Sequence, residues 1–159
     1  MRAECLRYLC DPNTRQPLEL TQGVVRNPES GARYAIRDGI PIFLNDVVGS
    51  NRKYQAMYDR LAPGYDIAER LYKWIFRKPD HRLEYISELV IKPGARVLEV
   101  SVGTGANVPY FQKDVEFFGI DLSWGMLAKC KRNITSWHQD AQLFQGEAER
   151  LPFCDAVFR

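Results

Sequence analysis

The chain has 159 residues, of which 45% are hydrophobic and 26% are charged, a composition typical of a globular domain and not of a disordered or fibrous chain. Its formal net charge of +2 gives no strong signal for nucleic-acid binding. No apolar run approaches the roughly 20 residues of a membrane span, and no secretion signal is visible, so we expect a soluble cytoplasmic protein without a transmembrane segment.

Residues 1–48 predict a small β-rich module, because short apolar stretches alternate with turns such as the one at 27–31. The stretch 34–41 resembles the zinc-ribbon-like module that activates certain tRNA methyltransferases and precedes the catalytic domain in others. The cysteines form no Cys-x-x-Cys pair, and only Cys10 matches a ligand position of that module. We therefore prefer a metal-free β-hairpin extension that packs on the rest of the chain over a metal site.

Residues 49–94 predict a helical segment that follows a polar linker at 46–52. Apolar residues recur at mostly helical intervals between Lys53 and Phe76, and Pro63 interrupts them, which indicates two helices. A third helix is predicted from about Pro79 to Val90. A basic stretch there suits either an anionic substrate or a solvated helix face, and it consists of Lys73, Arg77, Lys78, His81 and Arg82.

Residues 95–159 predict part of a Rossmann-like parallel sheet of the α/β class. Short, nearly continuous apolar runs alternate with helical text there, as a sheet covered on both faces requires. Strands are predicted at 96–100, 115–120 and 141–144, the start of a fourth at 156–158, and helices at 108–112 and 126–134.

The small residues Ser101, Gly103 and Gly105 follow the first of these strands, where they permit a sharp turn and the close approach of a ligand. The predicted helix after this turn would offer free N–H groups. A dinucleotide site requires a third glycine where Val108 stands, which disfavours a nicotinamide cofactor. Glu99 suits a ligand that carries a positive charge and opposes a diphosphate. The alternatives are a turn that serves tight packing only and a carboxylate that satisfies loop N–H groups.

Two further acidic residues follow predicted strands. Asp121 is placed to accept hydrogen bonds from both hydroxyls of a ribose, or to cap the next helix, a role that Ser123 also suits. Glu147 follows the third strand and can reach an adenine amino group, and the N–H of Ala148 can reach the ring. Three acids in order, one for each strand, predict a single nucleoside site at the strand ends.

This order of motifs resembles the class I S-adenosylmethionine (SAM) dependent methyltransferases, and most closely the branch of the quinone-biosynthesis and phospholipid enzymes. The resemblance implies SAM as the cofactor and a small-molecule methyl acceptor. It implies that Glu99, Gly103 and Gly105 line the methionine end of SAM, where Ser101 replaces the glycine that is commonest at the start of the turn. It also implies that Asp121 binds the ribose. Leu122, Glu147 and Ala148 would contact the adenine.

The resemblance extends upstream to a helical segment that caps the cofactor in this branch. It makes Tyr58 and Tyr65 candidate lid residues, although ordinary aromatic packing explains them equally well. No catalytic residue can be named from the sequence.

The family pattern continues into further strands where this sequence ends, so we expect the chain to be the N-terminal portion of such an enzyme. Half a sheet has an open strand edge, which favours self-association or a swapped dimer. The alternative function is therefore a non-catalytic SAM-binding or interaction fragment.

Overall fold

A computed structural model describes residues 1–44, 47, 49–77 and 79–158 of the chain. In these ranges the strands are β1 (Glu19–Thr21), β2 (Val24–Arg26), β3 (Arg33–Tyr34), β4 (Ile36–Arg37), β5 (Ile40–Pro41), β6 (Arg96–Val100), β7 (Glu116–Asp121) and β8 (Gln142–Gln145). The α-helices are α1 (Gly49–Leu61), α2 (Tyr65–Ile75), α3 (Arg82–Ser87) and α4 (Trp124–Ser136). Short 3-10 helices span Ala3–Tyr8, Ala62–Gly64 and Val108–Tyr110. The predicted linker at 46–52 falls partly outside the described ranges. Among the described residues, no helix is long and apolar enough to cross a membrane.

Strands β6, β7 and β8 form a parallel sheet with β7 in the middle. Val97 of β6 pairs with Phe117 of β7, and Phe118 of β7 pairs with Gln142 of β8. Helix α4 connects β7 to β8, since parallel neighbours need a crossover. The predicted α/β class is confirmed, and each of the three predicted strands agrees with the structure to within one residue at either end.

The two faces of this sheet are covered by different parts of the chain, because successive strand residues point to opposite sides. Phe118 and Phe144 belong to a buried cluster with Tyr8, Leu9 and other residues of the N-terminal module. On the other face, a second cluster joins Phe117 and Leu143 to residues of α4. Most of the module thus covers the sheet face opposite α4, while its Ile40 belongs to the cluster on the α4 face.

The N-terminal module is β-rich, as predicted, with an antiparallel sheet of β1, β2 and β3 and a pair of β4 and β5. Backbone hydrogen bonds attach it to the larger sheet. The N–H of Phe43 donates to the Gln145 carbonyl at 2.7 Å, and that of Cys10 donates to the Pro152 carbonyl at 3.0 Å. The expectation that this module packs on the rest of the chain is therefore met.

Asp11 and Asn27 hold the two turns of this module together, and both are almost fully buried. The Asp11 carboxylate accepts hydrogen bonds from the N–H groups of Asn13 and Thr14, at 2.8 and 3.1 Å. The amide of Asn27 donates to Asp11 Oδ2 at 2.9 Å and also to Thr14 Oγ1 at 3.0 Å. Cys10, the residue matched to a zinc knuckle from the sequence, is a buried free thiol beside this network. No group of three or more metal-ligating side chains occurs in the part of the chain that the structure describes.

Two predicted helices are shorter than expected. The helix predicted at 108–112 is only the 3-10 helix Val108–Tyr110, because Phe111 turns to an extended conformation and packs its ring on Phe117, 5.1 Å between centroids. The helix predicted from Pro79 to Val90 is only α3. It starts late because Asp80 Oδ1 accepts a hydrogen bond from the N–H of Arg82 at 3.1 Å, which forms a turn instead of a first helical turn.

The fourth strand predicted at 156–158 is not formed. Ala156 adopts a left-handed conformation with φ of 58°, which interrupts an extended run. The carbonyl of Val157 accepts a hydrogen bond from the side chain of Arg96 at 2.9 Å and not from the β6 backbone. The apolar character of the segment is used for packing, since Phe158 lies 5.3 Å from Phe118, ring centroid to ring centroid.

Candidate functional site

The carboxyl ends of the three parallel strands open into one cavity of about 360 Å³. Such strand ends are where ligands bind in open α/β sheets, and this volume lies within the roughly 300–1,000 Å³ of small-molecule sites. Eight of the predicted site residues line the cavity, namely Tyr58, Tyr65, Ser101, Gly103, Asp121, Leu122, Glu147 and Ala148. The site therefore brings together side chains from three strand ends and from the helices before them.

The turn after β6 forms one wall of the cavity. Ser101 and Gly103 both have a left-handed backbone conformation, with φ of 60° and 56°. Glycine adopts this conformation without cost, as predicted for Gly103, whereas the side chain of Ser101 makes it strained. The N–H of Val102 donates to the Ile120 carbonyl at 3.1 Å, which holds the turn against the end of β7. No α-helix follows this turn, so the expected helix N-terminus is absent from the described site.

Asp121 occupies the centre of the site at the end of β7. Its Oδ2 accepts a hydrogen bond from the N–H of Gly103 at 2.8 Å, and its Oδ1 accepts one from the N–H of Ser123 at 2.9 Å. Burial raises the pKa of Asp121, and these backbone donors offset part of that effect. A carboxylate has about four lone-pair positions, so each oxygen can still accept a hydrogen bond from a ligand. The alternative role as helix cap belongs to Ser123, whose hydroxyl accepts from the N–H of Met126 at 3.1 Å.

Glu147 and Ala148 follow β8 and line the side of the cavity next to Leu122. Glu147 Oε1 accepts a hydrogen bond from Asn51 of α1 at 3.1 Å, and Oε2 pairs with Arg150 at 2.8 Å. The N–H of Gly146 donates to the Asp121 carbonyl at 3.1 Å, which fixes this loop to the end of β7.

Helix α1 covers the cavity, and Tyr58 shares this wall with Asn51 and Tyr54. These two residues were not predicted from the sequence. They lie seven and four positions before Tyr58, which places all three on one face of a helix. The predicted helix and the candidate Tyr58 would therefore have been sufficient to predict that Asn51 and Tyr54 line the site. Tyr65, the first residue of α2, closes the same side.

Glu99 and Gly105 lie outside the cavity wall, in contrast to the other predicted site residues. Glu99 Oε1 accepts a hydrogen bond from the Asn107 amide at 2.8 Å, while Oε2 is buried without a hydrogen-bond partner among the described residues. Burial raises the pKa of this carboxyl. Gly105 has φ of 78°, and a Cβ there would lie 2.7 Å from Cys130 Sγ, so it permits close packing of the turn on α4.

The fold is a Rossmann-like domain with a cavity at its strand ends, and comparison with known proteins shows similarity to methyltransferases. Residues 97–159 match the model of a family described as methyltransferase domain. The demethylmenaquinone methyltransferase of Renibacterium salmoninarum is 34% identical over 104 residues, which cover 65% of this chain and 42% of that protein. The phosphatidylethanolamine N-methyltransferase of Cereibacter sphaeroides is 39% identical over 67 residues, which cover 41% of this chain and 33% of that protein.

Among solved structures, the YcgJ protein of Bacillus subtilis is similar with a TM-score of 0.46 and 26% identity, over 49% of this chain and 35% of that one. Residues 97–159 are thus similar to a methyltransferase domain, and both curated relatives named above are methyltransferases. The chain spans less than half the length of these two relatives.

Proposed function

We propose that this chain forms the cofactor-binding portion of a SAM-dependent methyltransferase that acts on a small-molecule acceptor. One observation carries the proposal: a single cavity joins Asp121, the turn at Gly103 and the Glu147 loop at adjacent strand ends. This is the arrangement that a nucleoside with a charged tail requires, since the ribose, the base and the tail each meet a different strand end.

The charge of the cavity favours a cationic ligand over a diphosphate. Its described wall includes the acids Asp121, Glu147 and Glu149 and contains no lysine, arginine or histidine. A diphosphate would meet only repulsion from these side chains, whereas a sulfonium nucleoside would be attracted. The same repulsion disfavours a nicotinamide dinucleotide, in agreement with Val108 in place of the third glycine.

The fit to SAM rests on particular atoms of the chain. The unused lone pairs of Asp121 suit two ribose hydroxyls, and Glu147 with the N–H of Ala148 suits the edge of an adenine. The Leu122 side chain offers an apolar surface for the base. When bound, SAM supplies an electrophilic methyl group on its sulfonium centre. The chain contributes by orienting that group, and Tyr58 and Tyr65 exclude water from the same side of the cavity.

Calorimetry on the chain with SAM, and with its demethylated product, tests the site. We expect saturable binding of both, and we expect Asp121→Ala to weaken it by at least about tenfold, which corresponds to about 1.4 kcal/mol. The matched control is Asp114→Ala, because Asp114 is exposed in the loop before β7. Equal affinity of the Asp121 variant and the control would contradict the proposal.

A second candidate function, SAM binding without turnover, is supported by the position of β6. Only one side of this strand pairs within the described sheet, so the other side is open to a second chain. A methyl-transfer assay with candidate acceptors distinguishes the two functions, since the binder alone would show affinity for SAM and release no demethylated product. Size-exclusion chromatography would show whether the open edge brings two copies together.

A further inference from the structure

Helix α2 is amphipathic, but its charged side faces the protein and its apolar side faces outward. Asp66, Glu69 and Lys73 lie at helical spacing and are the partly buried positions of the helix. Ile67, Leu71, Trp74 and Ile75 form the opposite side, which we name the outer face of α2, and all four are exposed. Trp74 is the extreme case, with 77% of its surface accessible. A surface helix normally shows the opposite arrangement.

Ion pairs and hydrogen bonds fix this orientation. The Asp66 carboxylate lies 3.3 Å from Lys129 Nζ and accepts a hydrogen bond from Asn133 Nδ2 at 3.0 Å, both on α4. Glu69 pairs with Lys73 at 3.0 Å and also with Arg82. The helix is thus attached by its polar side, and its apolar residues stay outward as a consequence.

The same contacts leave the exposed charges of α1 and α2 with one sign, whereas the exposed acids Asp80, Glu84 and Glu88 lie beyond the end of α2. Residues 49–77 include three acids, Asp59, Asp66 and Glu69, and each is partly buried and hydrogen-bonded or ion-paired within the protein. The exposed charged residues of this stretch are all cations, namely Arg52, Lys53, Arg60, Arg70 and Arg77. Arg70 borders the outer face of α2, and Arg77 follows the end of the helix. Of the basic stretch noted in the sequence, Lys73 and Arg82 are in ion pairs, and Lys78 is outside the described residues.

From this combination we infer that the outer face of α2 docks on the surface of an anionic lipid bilayer. Exposed apolar side chains with a tryptophan, bordered by arginines on helices that carry no exposed acid of their own, are the features of a helix that lies in a membrane interface. A symmetric contact between two copies fits less well, because it would bring Arg70 and Arg77 of both copies into one interface.

The position of the helix links this surface to the cavity. Tyr65, the first residue of α2, lines the cavity wall, so the helix that carries the outer face also contributes to the cavity. The docking does not depend on the proposed function.

Vesicle sedimentation of the chain tests the docking. We expect binding to vesicles of equal parts phosphatidylcholine and phosphatidylglycerol, weaker binding in high salt, and little binding to phosphatidylcholine alone. The double variants Leu71→Ser/Trp74→Ser and Arg70→Glu/Arg77→Glu should each reduce the partition coefficient by about tenfold or more. The altered side chains are exposed, so circular dichroism and melting temperature should stay unchanged.

Matched controls alter exposed residues elsewhere: Leu20→Ser/Trp137→Ser for the apolar pair and Arg33→Glu/Arg132→Glu for the charged pair. Equal losses in variants and controls would overturn the inference, as would no sedimentation of the wild type. A dimer in vesicle-free solution that the outer-face variants dissociate would overturn it in favour of a contact between copies. Calorimetry with SAM on the same preparation separates the two proposals, because vesicle binding and cofactor binding can fail independently.

Discussion

The hydroxyl of Ser123, the residue that caps α4, donates a 2.6 Å hydrogen bond to Oδ1 of Asp59 on α1. The same oxygen accepts a hydrogen bond from the N–H of Gly125 at 2.8 Å. A Cβ on Gly125 would lie 3.1 Å from the backbone of Asp59, so the two helices meet with no space between them. One carboxylate therefore joins the helix that covers the cavity to the sheet domain that forms its floor.

Asp59→Ala should loosen this connection without touching a ligand. Hydrogen bonds to a charged group contribute about 1.5–3 kcal/mol, so we expect the free energy of unfolding to fall by about 2 kcal/mol. We also expect weaker SAM binding, because α1 carries Asn51, Tyr54 and Tyr58. Denaturant unfolding and calorimetry measure the two effects. If the variant retains wild-type values for both, as we expect of Asp114→Ala, the connection is not needed to hold α1.

Gly105→Ala should destabilise the fold through Cys130. The left-handed φ costs about 1–2 kcal/mol for any L-residue with a Cβ, and the contact of 2.7 Å with Cys130 Sγ adds to it. Combining it with Cys130→Ala removes the sulfur and should recover part of the loss, which a double-mutant cycle measures. Gly103→Ala is the comparison, because the nearest atom to its Cβ would be 4.0 Å away and only the backbone cost remains. Additive effects of Gly105→Ala and Cys130→Ala would show that the sulfur contact is unimportant.

The sequence predicted the features that depend on local pattern and missed those that depend on distant contacts. The strands β6, β7 and β8 follow from continuous apolar runs, and the placement of Asp121 at a strand end follows with them. Tight packing was one of the alternatives for the glycine turn, but the partner of Gly105 was not predictable, because Cys130 is far away in the sequence. The apolar spacing of α2 predicted a helix correctly, but the side that faces the protein is decided by Lys129 and Asn133 on another helix.

Cofactor affinity should fall as the pH is lowered. Burial raises the pKa of Asp121, so its carboxyl takes up a proton at a higher pH than an ordinary aspartate, whose pKa is about 3.9. The protonated group loses its charge and part of its capacity to accept hydroxyls, and the affinity is lost with it. Calorimetry from about pH 8 to about pH 5 should show the decrease, and Asp121→Asn should remove part of it. The pKa of Glu99 is raised by burial as well, so Glu99→Gln is the second variant to measure. A constant affinity over the range in which the wild type stays folded would contradict this account.

The N-terminal module should depend on Asp11 and Asn27 and not on a metal ion. Both side chains are buried, so removal of either leaves the other with unsatisfied hydrogen-bonding groups. We expect Asn27→Ala to lower the free energy of unfolding by about 2–4 kcal/mol, and the exposed control Thr21→Ala to change it by less than about 0.5 kcal/mol. Treatment with a chelator should leave the melting temperature of the wild type unchanged, and a decrease would show that a metal ion takes part.

The same pair predicts a particular response to acid. Burial by itself would raise the pKa of Asp11, but hydrogen bonds from Asn27 and from the N–H groups of Asn13 and Thr14 outweigh burial and hold the pKa below its ordinary value. Because the folded pKa is lower than the unfolded one, the carboxylate stabilises the fold above the unfolded value and ceases to do so as the pH falls through the folded value. Asn27→Ala removes the first of these donors, so the folded pKa should rise and stability should decline at a higher pH than in the wild type. Thermal melts across the acidic range measure this, with Asp11→Asn as the variant in which the carboxylate contribution is missing at every pH. Parallel curves for the wild type and Asn27→Ala would show that the donor does not control the titration of Asp11.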